Sequence, residues 1–385
     1  MRFSLMSAGL RALAATSVAA IAVTGLPGSA APSGRPVVIG AILSESGLYA
    51  PLGEPERNAL QLAEKDINAH GGIDGRPVQI VISDDEGKAD TAAQLATSFV
   101  GQNVALIVGG TLTATSAAIS RVTSSSKIAQ VYMTPTSQLW NAKAGIVKYL
   151  FEATPRNELE AAKLLGFAKT KLAAKRIAIL HDDGAYGSQG TLIVQGEAKT
   201  QGLDVADDEA FPIGASDVTA QLTKIKSSGA DTIVIWTASP TAAIAVRQIR
   251  QLGIKMNVIG STGIVSDNFL RLTGKDGEGV YADVDLNFTH PNQQQETFLR
   301  AYRSAYGARP SNFASFAWDA AHIAALALDQ SHFTFDGDTV SAALIALKPY
   351  AGTTGTYKFS DSDHNGLSLA DVHIAIDRNA VWFTL

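Results

Sequence analysis

The stretch that most constrains this chain runs from Val37 to Asp85, VVIGAILSESGLYAPLGEPERNALQLAEKDINAHGGIDGRPVQIVISDD. Its apolar run Val37–Leu43 is too short for a helix and is bounded by loop residues, so it reads as a buried strand. A polar loop with Ser44, Glu45, Ser46, Gly47 and Gly53 follows. A helix comes next, with Pro55 expected in its first turn and Leu60, Ala63 and Ile67 on one face. Gly71 and Gly72 are expected to end it, because glycine takes the left-handed cap conformation at little cost. Val78 to Ser83 then reads as a second strand leading into Asp84 and Asp85. Strand, helix and strand in this order make a parallel pair with a right-handed crossover, and the first loop falls at the carboxyl edge of the sheet. Open α/β sheets bind ligands at that edge.

The alternation continues. Helix 91–100, strand 105–108, strand 128–133 and strand 148–153 are expected, and Thr154-Pro155 breaks the chain in an extended conformation suited to a crossing between lobes. A second series begins there: helix 161–168, strand 176–180, strand 205–211, a helix capped by Ser216 and Asp217, strand 231–236, helix 242–252, strand 258–261 and strand 280–284. The tail carries helical patterns over 293–306, 313–329 and 339–347, with strands at 355–359 and 372–376. The predicted fold class is α/β, with two doubly wound parallel-sheet lobes joined by a three-strand hinge. The first lobe is expected to comprise residues 36–154 and 287–352, the second 155–286 and 353–385.

Several function classes drop out on composition. With 31 basic against 36 acidic residues, the chain lacks the basic surface that nucleic-acid binding needs. It has no cysteine, which excludes disulfides, zinc–thiolate sites, a thiol nucleophile and lipidation at a cysteine. Residues 1–31 combine Arg2 and Arg11, an apolar run over 12–26 and the small residues Gly28-Ser29-Ala30, the pattern of a signal peptide cleaved near Ala30. Export as a mature chain is therefore expected.

Catalytic and metal motifs are weak. Neither G-x-x-x-x-G-K-S/T nor G-x-G-x-x-G follows the first strand, so nucleotide binding lacks its usual glycine geometry. Gly109-Gly110-Thr111-Leu112-Thr113-Ala114-Thr115-Ser116 enters a helix and offers N–H groups and hydroxyls to an anion. Asp361-Ser362-Asp363-His364-Asn365-Gly366 resembles a calcium loop, but Val372 occupies the position of the anchoring glutamate, so a tight turn is expected. His181-Asp182-Asp183 alternates across a strand and reads as a polar strand end lining a cleft, not as an acid–base cluster. Asp84-Asp85 reads as turn chemistry. Tyr49, Tyr132, Trp140, Tyr186 and Trp236 near strand ends suggest a pocket with aromatic walls, and Trp318 is expected in the core. No enzyme, metal or cofactor is predicted.

The wording SGLYAPLG, helix, DINAHGGIDGRPVQIVISDDEG resembles the periplasmic leucine/isoleucine/valine-binding proteins, the solute receptors of branched-chain amino-acid ABC transporters. The resemblance extends from Val37 to the C-terminus and is looser beyond Asp283. It implies a type I periplasmic-binding fold with the solute between the lobes and crossings at Thr154-Pro155, near Asp285 and near Gly352. It implies that Thr113, flanked by Thr111 and Thr115, holds a ligand carboxylate, and that Thr136, Ser137 and Gln138 lie near an α-ammonium. Tyr186, in HDDGAYGSQG, would cover the ligand. Ser46 and Tyr49 on the first loop, and Trp236, Ala238 and Thr262 in the second lobe, complete the expected contact set. Three positions depart from the pattern: Thr262 replaces the acid that pairs the ammonium, Ala238 replaces a tyrosine, and Leu52 stands where a tyrosine is frequent. Glu45 or Asp183 are candidate substitutes for the missing acid.

The expected ligand is thus a hydrophobic amino acid or a related carboxylic acid without the ammonium. The expected partner is an ABC permease of the inner membrane, and the protein is expected to be a monomer. A ligand sensor of the same fold, reporting a small carboxylate or amide to a regulator, is the alternative. A secreted hydrolase lacks its nucleophile–base motif.

Overall fold

The computed structural model describes residues 32–136, 146–238 and 240–385. Its first sheet is β1 (Val37–Leu43), β2 (Val78–Asp84), β3 (Leu106–Gly109), β4 (Gln130–Tyr132) and β5 (Leu150–Glu152). The strands are parallel and ordered β2-β1-β3-β4-β5. Strand order reverses between β1 and β3, so the loops leaving these two strands diverge and open a crevice at the carboxyl edge. The opening strand has the limits its apolar run predicts.

Helix α1 (Ala50–Ala69) begins earlier than the sequence suggests: Pro51 sits in the first turn and Pro55 lies inside the helix. Its buried face carries Leu52, Glu56, Ala59, Leu60, Ala63 and Ile67, a helical spacing that includes one acid. Gly72, at φ +72°, donates its N–H to Ile67 O and ends the helix as expected. Helices α2 (Ala89–Gly101) and α3 (Thr113–Ser125) cover the opposite face of the sheet, packing with Ile42, Phe99, Ile107 and Ile119.

The second lobe starts with α4 (Asn157–Lys171) and runs through β6 (Arg176–Asp182), α5 (Ala185–Gln201), β7 (Asp204–Phe211), α6 (Thr219–Ser227), β8 (Thr232–Trp236), α7 (Thr241–Gln251), β9 (Asn257–Gly260), α8 (Asp267–Thr273) and β10 (Tyr281–Val284). The N-cap of α6 is Val218, not Ser216 or Asp217, but Asp217 one residue earlier accepts the N–H of Thr219 at 2.8 Å and so satisfies one of the helix's first donors. The chain then returns to the first lobe with α9 (Gln293–Tyr306), α10 (Asn312–Gln330) and α11 (Gly337–Ile345). Phe298, Phe313, Phe316, Ala320, Ala324 and Leu328 from these helices join the core built on β1 and α1. Burying one such aromatic side chain stabilises by about 1.5–3 kcal/mol. Trp318 belongs to this core as well, as expected.

A short hairpin, β11 (Tyr350–Ala351) with β12 (Thr356–Tyr357), precedes β13 (His373–Asp377) and β14 (Trp382–Thr384). The second sheet has the order β14-β13-β10-β9-β8-β6-β7; five strands are parallel, and β13 and β14 add antiparallel. This antiparallel margin, and β14 altogether, are absent from the sequence reading. The turn between them has Asn379 and Ala380 both at positive φ, a two-residue hairpin turn written without the glycine that usually signals it.

Tyr357, Phe359 and Leu367 pack in the first core, and Glu152 N donates to His364 O. On this packing we place the third crossing between Leu367 and Val372, instead of near Gly352. Asp363 accepts from Arg156 at 2.6 Å, and Ser360 and Asp363 pair as an isolated bridge, so the D-x-D-x-N-G segment is a turn. Among the described residues no group of histidine and acid side chains is arranged to hold a metal ion, and no helix is long and apolar enough to cross a membrane.

Candidate ligand-binding site

The loops leaving β1, β2 and β3 are knitted into one floor. Ser44 N donates to Thr111 Oγ1 at 2.9 Å, and Ser44 Oγ to Asp85 Oδ1 at 2.7 Å. Asp85 also accepts from Gly87 N, while Asp84 accepts from the N–H groups of Glu45 and Glu86. The two aspartates are turn-makers, as their position predicts. Helix α1 starts against this floor through Gly53, where a Cβ would lie 2.2 Å from the Ser44 carbonyl oxygen.

Above the floor, between the lobes, lies a cavity of about 240 Å³. From the first lobe it is lined by Tyr49, Leu52, Gly87, Thr111, Leu112, Thr113, Ala114, Thr134 and Pro135, with Phe313 and Phe316 from the start of α10. The second lobe supplies Asp182, Gly184, Ala185, Tyr186, Ile213, Ala238, Thr262 and Gly263. The walls are mainly apolar with a few convergent hydroxyls, the usual make-up of small-molecule sites.

Each polar group here has a definable role. Thr113 is the first residue of α3, and its buried Oγ1 has no hydrogen-bond partner among the described residues. The N-terminal dipole and the free N–H groups of α3 favour negative charge at this spot. Thr115 turns away: its Oγ1 accepts from Leu112 N at 3.3 Å and donates to Leu112 O at 3.2 Å. Thr111 Oγ1 is 2.5 Å from Oε2 of the fully buried Glu56. Burial holds the Glu56 carboxyl well above its ordinary range against the hydrogen bond with Thr111, which favours the charged form, and the nearby acids Asp85 and Glu45 add to the rise.

The facing wall carries Asp182, whose Oδ1 accepts from Gly184 N at 2.9 Å and Oδ2 from Thr237 Oγ1 at 2.6 Å. Burial raises the Asp182 carboxyl although both hydrogen bonds oppose it. Tyr49 is pushed up to about 12, first by burial and then by the negative charges of Asp182 and Asp183 across the cleft. Tyr186 stacks obliquely on Trp236, with ring centroids 5.8 Å apart, and its hydroxyl lies toward Ser261. Thr262 Oγ1 accepts from Asn312 Nδ2 at 2.9 Å.

Tyr49, Thr111, Thr113, Tyr186, Ala238 and Thr262 of the expected contact set therefore meet at the cavity. Four others do not line it. Ser46 bonds Asp84, Thr115 serves its own helix, and Trp236 is fully buried behind Tyr186. Thr136 instead bridges the lobes, its Oγ1 3.2 Å from Gln189 Oε1. Ser137 and Gln138, and the aromatic Trp140, lie outside the described residues. Glu45 and Asp183 are also absent from the lining: Glu45 is 3.7 Å from Arg57, and Asp183 accepts from Ile213 N. The sequence reading missed Asp182 as an individual wall residue, together with Ile213, Phe313 and Phe316. The alternation rule could have separated Asp182 from His181, which turns to Asp208 on the other face at 3.4 Å.

Residues 36–371 match the family model described as periplasmic binding protein. Among curated proteins, the chain is 24% identical over 326 residues to Leu/Ile/Val-binding protein homolog 3 of Brucella melitensis, covering 85% of this chain and 88% of that one. It is 27% identical to the Leu/Ile/Val-binding protein BraC3 of Rhizobium johnstonii over 70% of this chain and 71% of that one. A solved structure of LivJ, the branched-chain amino acid transporter substrate-binding protein of Streptococcus pneumoniae in complex with isoleucine, superposes with a TM-score of 0.82. It is 25% identical, and the match covers 91% of this chain and 99% of that one. A Rhodopseudomonas palustris solute-binding protein in complex with benzoate has a TM-score of 0.81 at 19% identity, with 91% and 96% covered, a likeness of fold.

Proposed function

Because this chain belongs to the periplasmic binding protein family, with its curated relatives among the Leu/Ile/Val-binding proteins, we propose that it is the exported solute receptor of an ABC importer. Its ligand is a small, hydrophobic carboxylic acid held between the lobes, and its partner is a membrane permease that engages the closed form. The observation that carries the ligand class is the asymmetry of the cavity's polar groups. Thr113 and the start of α3 offer donors without competitors. Asp182, the acid of the lining among the described residues, has each oxygen already accepting a hydrogen bond, and Thr262 is engaged by Asn312.

An ammonium entering this cavity would find one lining acid among the described residues, Asp182, which is raised by burial and already held by Gly184 N and Thr237 Oγ1, so its desolvation is poorly offset. The reading therefore favours des-amino acids, aliphatic or aromatic, over the corresponding amino acids. A charged hydrogen bond is worth about 1.5–3 kcal/mol, tenfold or more in affinity. The isoleucine seen with the Streptococcus pneumoniae relative sets the comparison that matters.

Binding would shift an open–closed equilibrium toward the closed form, where both lobes touch the ligand. Contacts such as Thr136–Gln189 and Asn312–Thr262 support this, since each joins a first-lobe residue to a second-lobe one. The protein acts as a monomer and needs no cofactor in this reading. Residues 1–31 would direct export and be removed near Ala30, which the intact mass of periplasmic protein checks.

The deciding experiment is a thermal-shift screen with calorimetric follow-up, pairing 4-methylpentanoate with leucine and 3-phenylpropanoate with phenylalanine, with isoleucine added. The des-amino acids are expected to bind at least as tightly as their partners. Tight binding of leucine or isoleucine with none of the des-amino acids would refute the ligand class.

A further inference from the structure

Beneath Thr111, on the side away from the cavity, Glu56 is a carboxyl with no exposed surface. Its Oε2 is 2.5 Å from Thr111 Oγ1, and its Oε1 has no hydrogen-bond partner among the described residues. The Thr111 oxygen has one proton and two lone pairs, and one lone pair already accepts from Ser44 N at 2.9 Å. The remaining bond, to Glu56, therefore decides where the Thr111 proton points. An ionised Glu56 draws that proton to itself and leaves only the one remaining oxygen lone pair for the cavity. A neutral Glu56 donates into the second lone pair and frees the Thr111 O–H.

The surroundings select between these states. The charged groups facing Glu56 are Asp85 and Glu45, both acidic. Asp85 is held by Ser44 Oγ and Gly87 N, and Glu45 lies 3.7 Å from Arg57. From the helices packed on α1, Asp319 of α10 accepts from the Thr353 and Thr354 N–H groups, His322 of α10 turns to Asp66, and Tyr306 of α9 bonds Asn58 O. No cation in this set reaches Glu56, and an unpaired charge in a dry site is strongly disfavoured.

We propose that Glu56 is a positioning residue: in its neutral form it donates to Thr111, and so makes the Thr111 hydroxyl a donor to the carboxylate bound at the start of α3. This rests on the carboxylate-receptor reading above and adds a proton to the recognition. A site built this way discriminates for an anion, because the acid behind the hydroxyl stays protonated while the anion is bound. As pH rises through the Glu56 titration the hydroxyl is withdrawn and affinity falls.

The test measures the dissociation constant of 4-methylpentanoate and of 3-phenylpropanoate by calorimetry for the full-length mature protein and its variants. Glu56→Gln keeps a neutral N–H donor to Thr111 and is expected to bind within about threefold of wild type, whereas Glu56→Leu and Thr111→Val each weaken binding by roughly tenfold. In the Thr111→Val background, Glu56→Leu is expected to add less than about twofold, because both changes remove one interaction. Glu56→Gln as weak as Glu56→Leu, or fully additive losses, would overturn the proposal while leaving the receptor reading intact. If neither carboxylate binds wild type at any pH, that reading falls and the proposal with it. Should Glu56→Leu not fold, wild type, Glu56→Gln and Thr111→Val decide the matter: Glu56→Gln within about threefold of wild type with Thr111→Val roughly tenfold weaker supports the proposal, and Glu56→Gln as weak as Thr111→Val overturns it.

Discussion

Asn312 Nδ2 donates to Thr262 Oγ1 across 2.9 Å, joining the start of α10 in the first lobe to the 3-10 turn that follows β9 in the second. Thr262 stands where relatives of the leucine-binding type are expected to carry an acid. Its hydroxyl here is spent on holding the lobes together, so it cannot balance a ligand charge.

Thr262→Glu restores a carboxylate to the cavity wall. It is expected to shift the ratio of leucine to 4-methylpentanoate affinity by tenfold or more toward leucine, at a cost of about 1–3 kcal/mol in the stability of the free protein from burying an unpaired acid. Calorimetry with both ligands and a thermal melt measure the two effects. An unchanged ratio would show that the ammonium end of a ligand does not lie at this wall.

Tyr186 is held between Trp236 and the cavity, and its ring forms part of the wall. Tyr186→Ala should weaken carboxylate binding by roughly 1–3 kcal/mol through lost aromatic contact. Tyr186→Phe should change affinity little, because it keeps the ring that forms the wall and loses only a buried hydroxyl on the Ser261 side. Equal affinity of wild type and the alanine variant would take the ring out of the site.

Glu160, Asp283 and Asp285 are fully buried near one another where the chain crosses from β10, and each is raised first by burial. Asp283 is pushed up to about 8, although the Thr262 N–H favours its charged form. A carboxyl whose folded pKa lies above its unfolded value stabilises fully only below the unfolded value. That contribution is lost as pH rises, here from the ordinary range near 3.8 to about 8. The melting temperature of the free protein is therefore expected to fall between pH 5 and pH 8.5. Asp283→Asn should flatten this profile and stabilise by about 1–3 kcal/mol at pH 8. A pH profile identical to wild type would remove Asp283 as its source.

Gly53→Ala places a methyl group 2.2 Å from the Ser44 carbonyl oxygen, a backbone atom that cannot swing aside. The start of α1 must move off the loop that carries Ser44. A loss of about 1–3 kcal/mol is expected, with weaker ligand binding because Ser44 N positions Thr111. Denaturant unfolding and calorimetry on the same sample would test both halves of this claim.

Local features of this molecule were legible and long-range ones were not. Val37–Leu43 could be bounded to the residue because an apolar run between loop residues has one reading as a strand. Gly71 and Gly72 marked the end of α1 for an equally local reason. The hydroxyl-rich run after β3 was recognisable as a site, but Thr113 and Thr115 are of one type two residues apart. Only the turn of α3 sends the first to the cavity and the second into its own cap. Trp236 was assigned to the wall from its place at a strand end, yet its side chain faces the α5 side and is covered by Tyr186. Phe313, Phe316 and Ile213 reach the cavity from distant parts of the chain, and no local pattern announces that. The partnership of β13 and β14 hides behind an Asn-Ala turn where Asn-Gly would have been the cue.

The return of α9–α11 to the first core sets the order in which this molecule can be completed. The sheet of the first lobe is finished by Glu152, but the core it shares with α1 stays incomplete until residues 293–345 arrive. The second sheet, in turn, has β10 as a raw margin until β13 pairs with it. Neither half can fold to its final stability from a chain whose last third is still being made, so folding is a late, whole-chain event dominated by contacts far apart in sequence. Ribosome-bound chains arrested before Asn312 are expected to show no protease-resistant lobe, and both lobes should gain protection together once Thr384 has emerged.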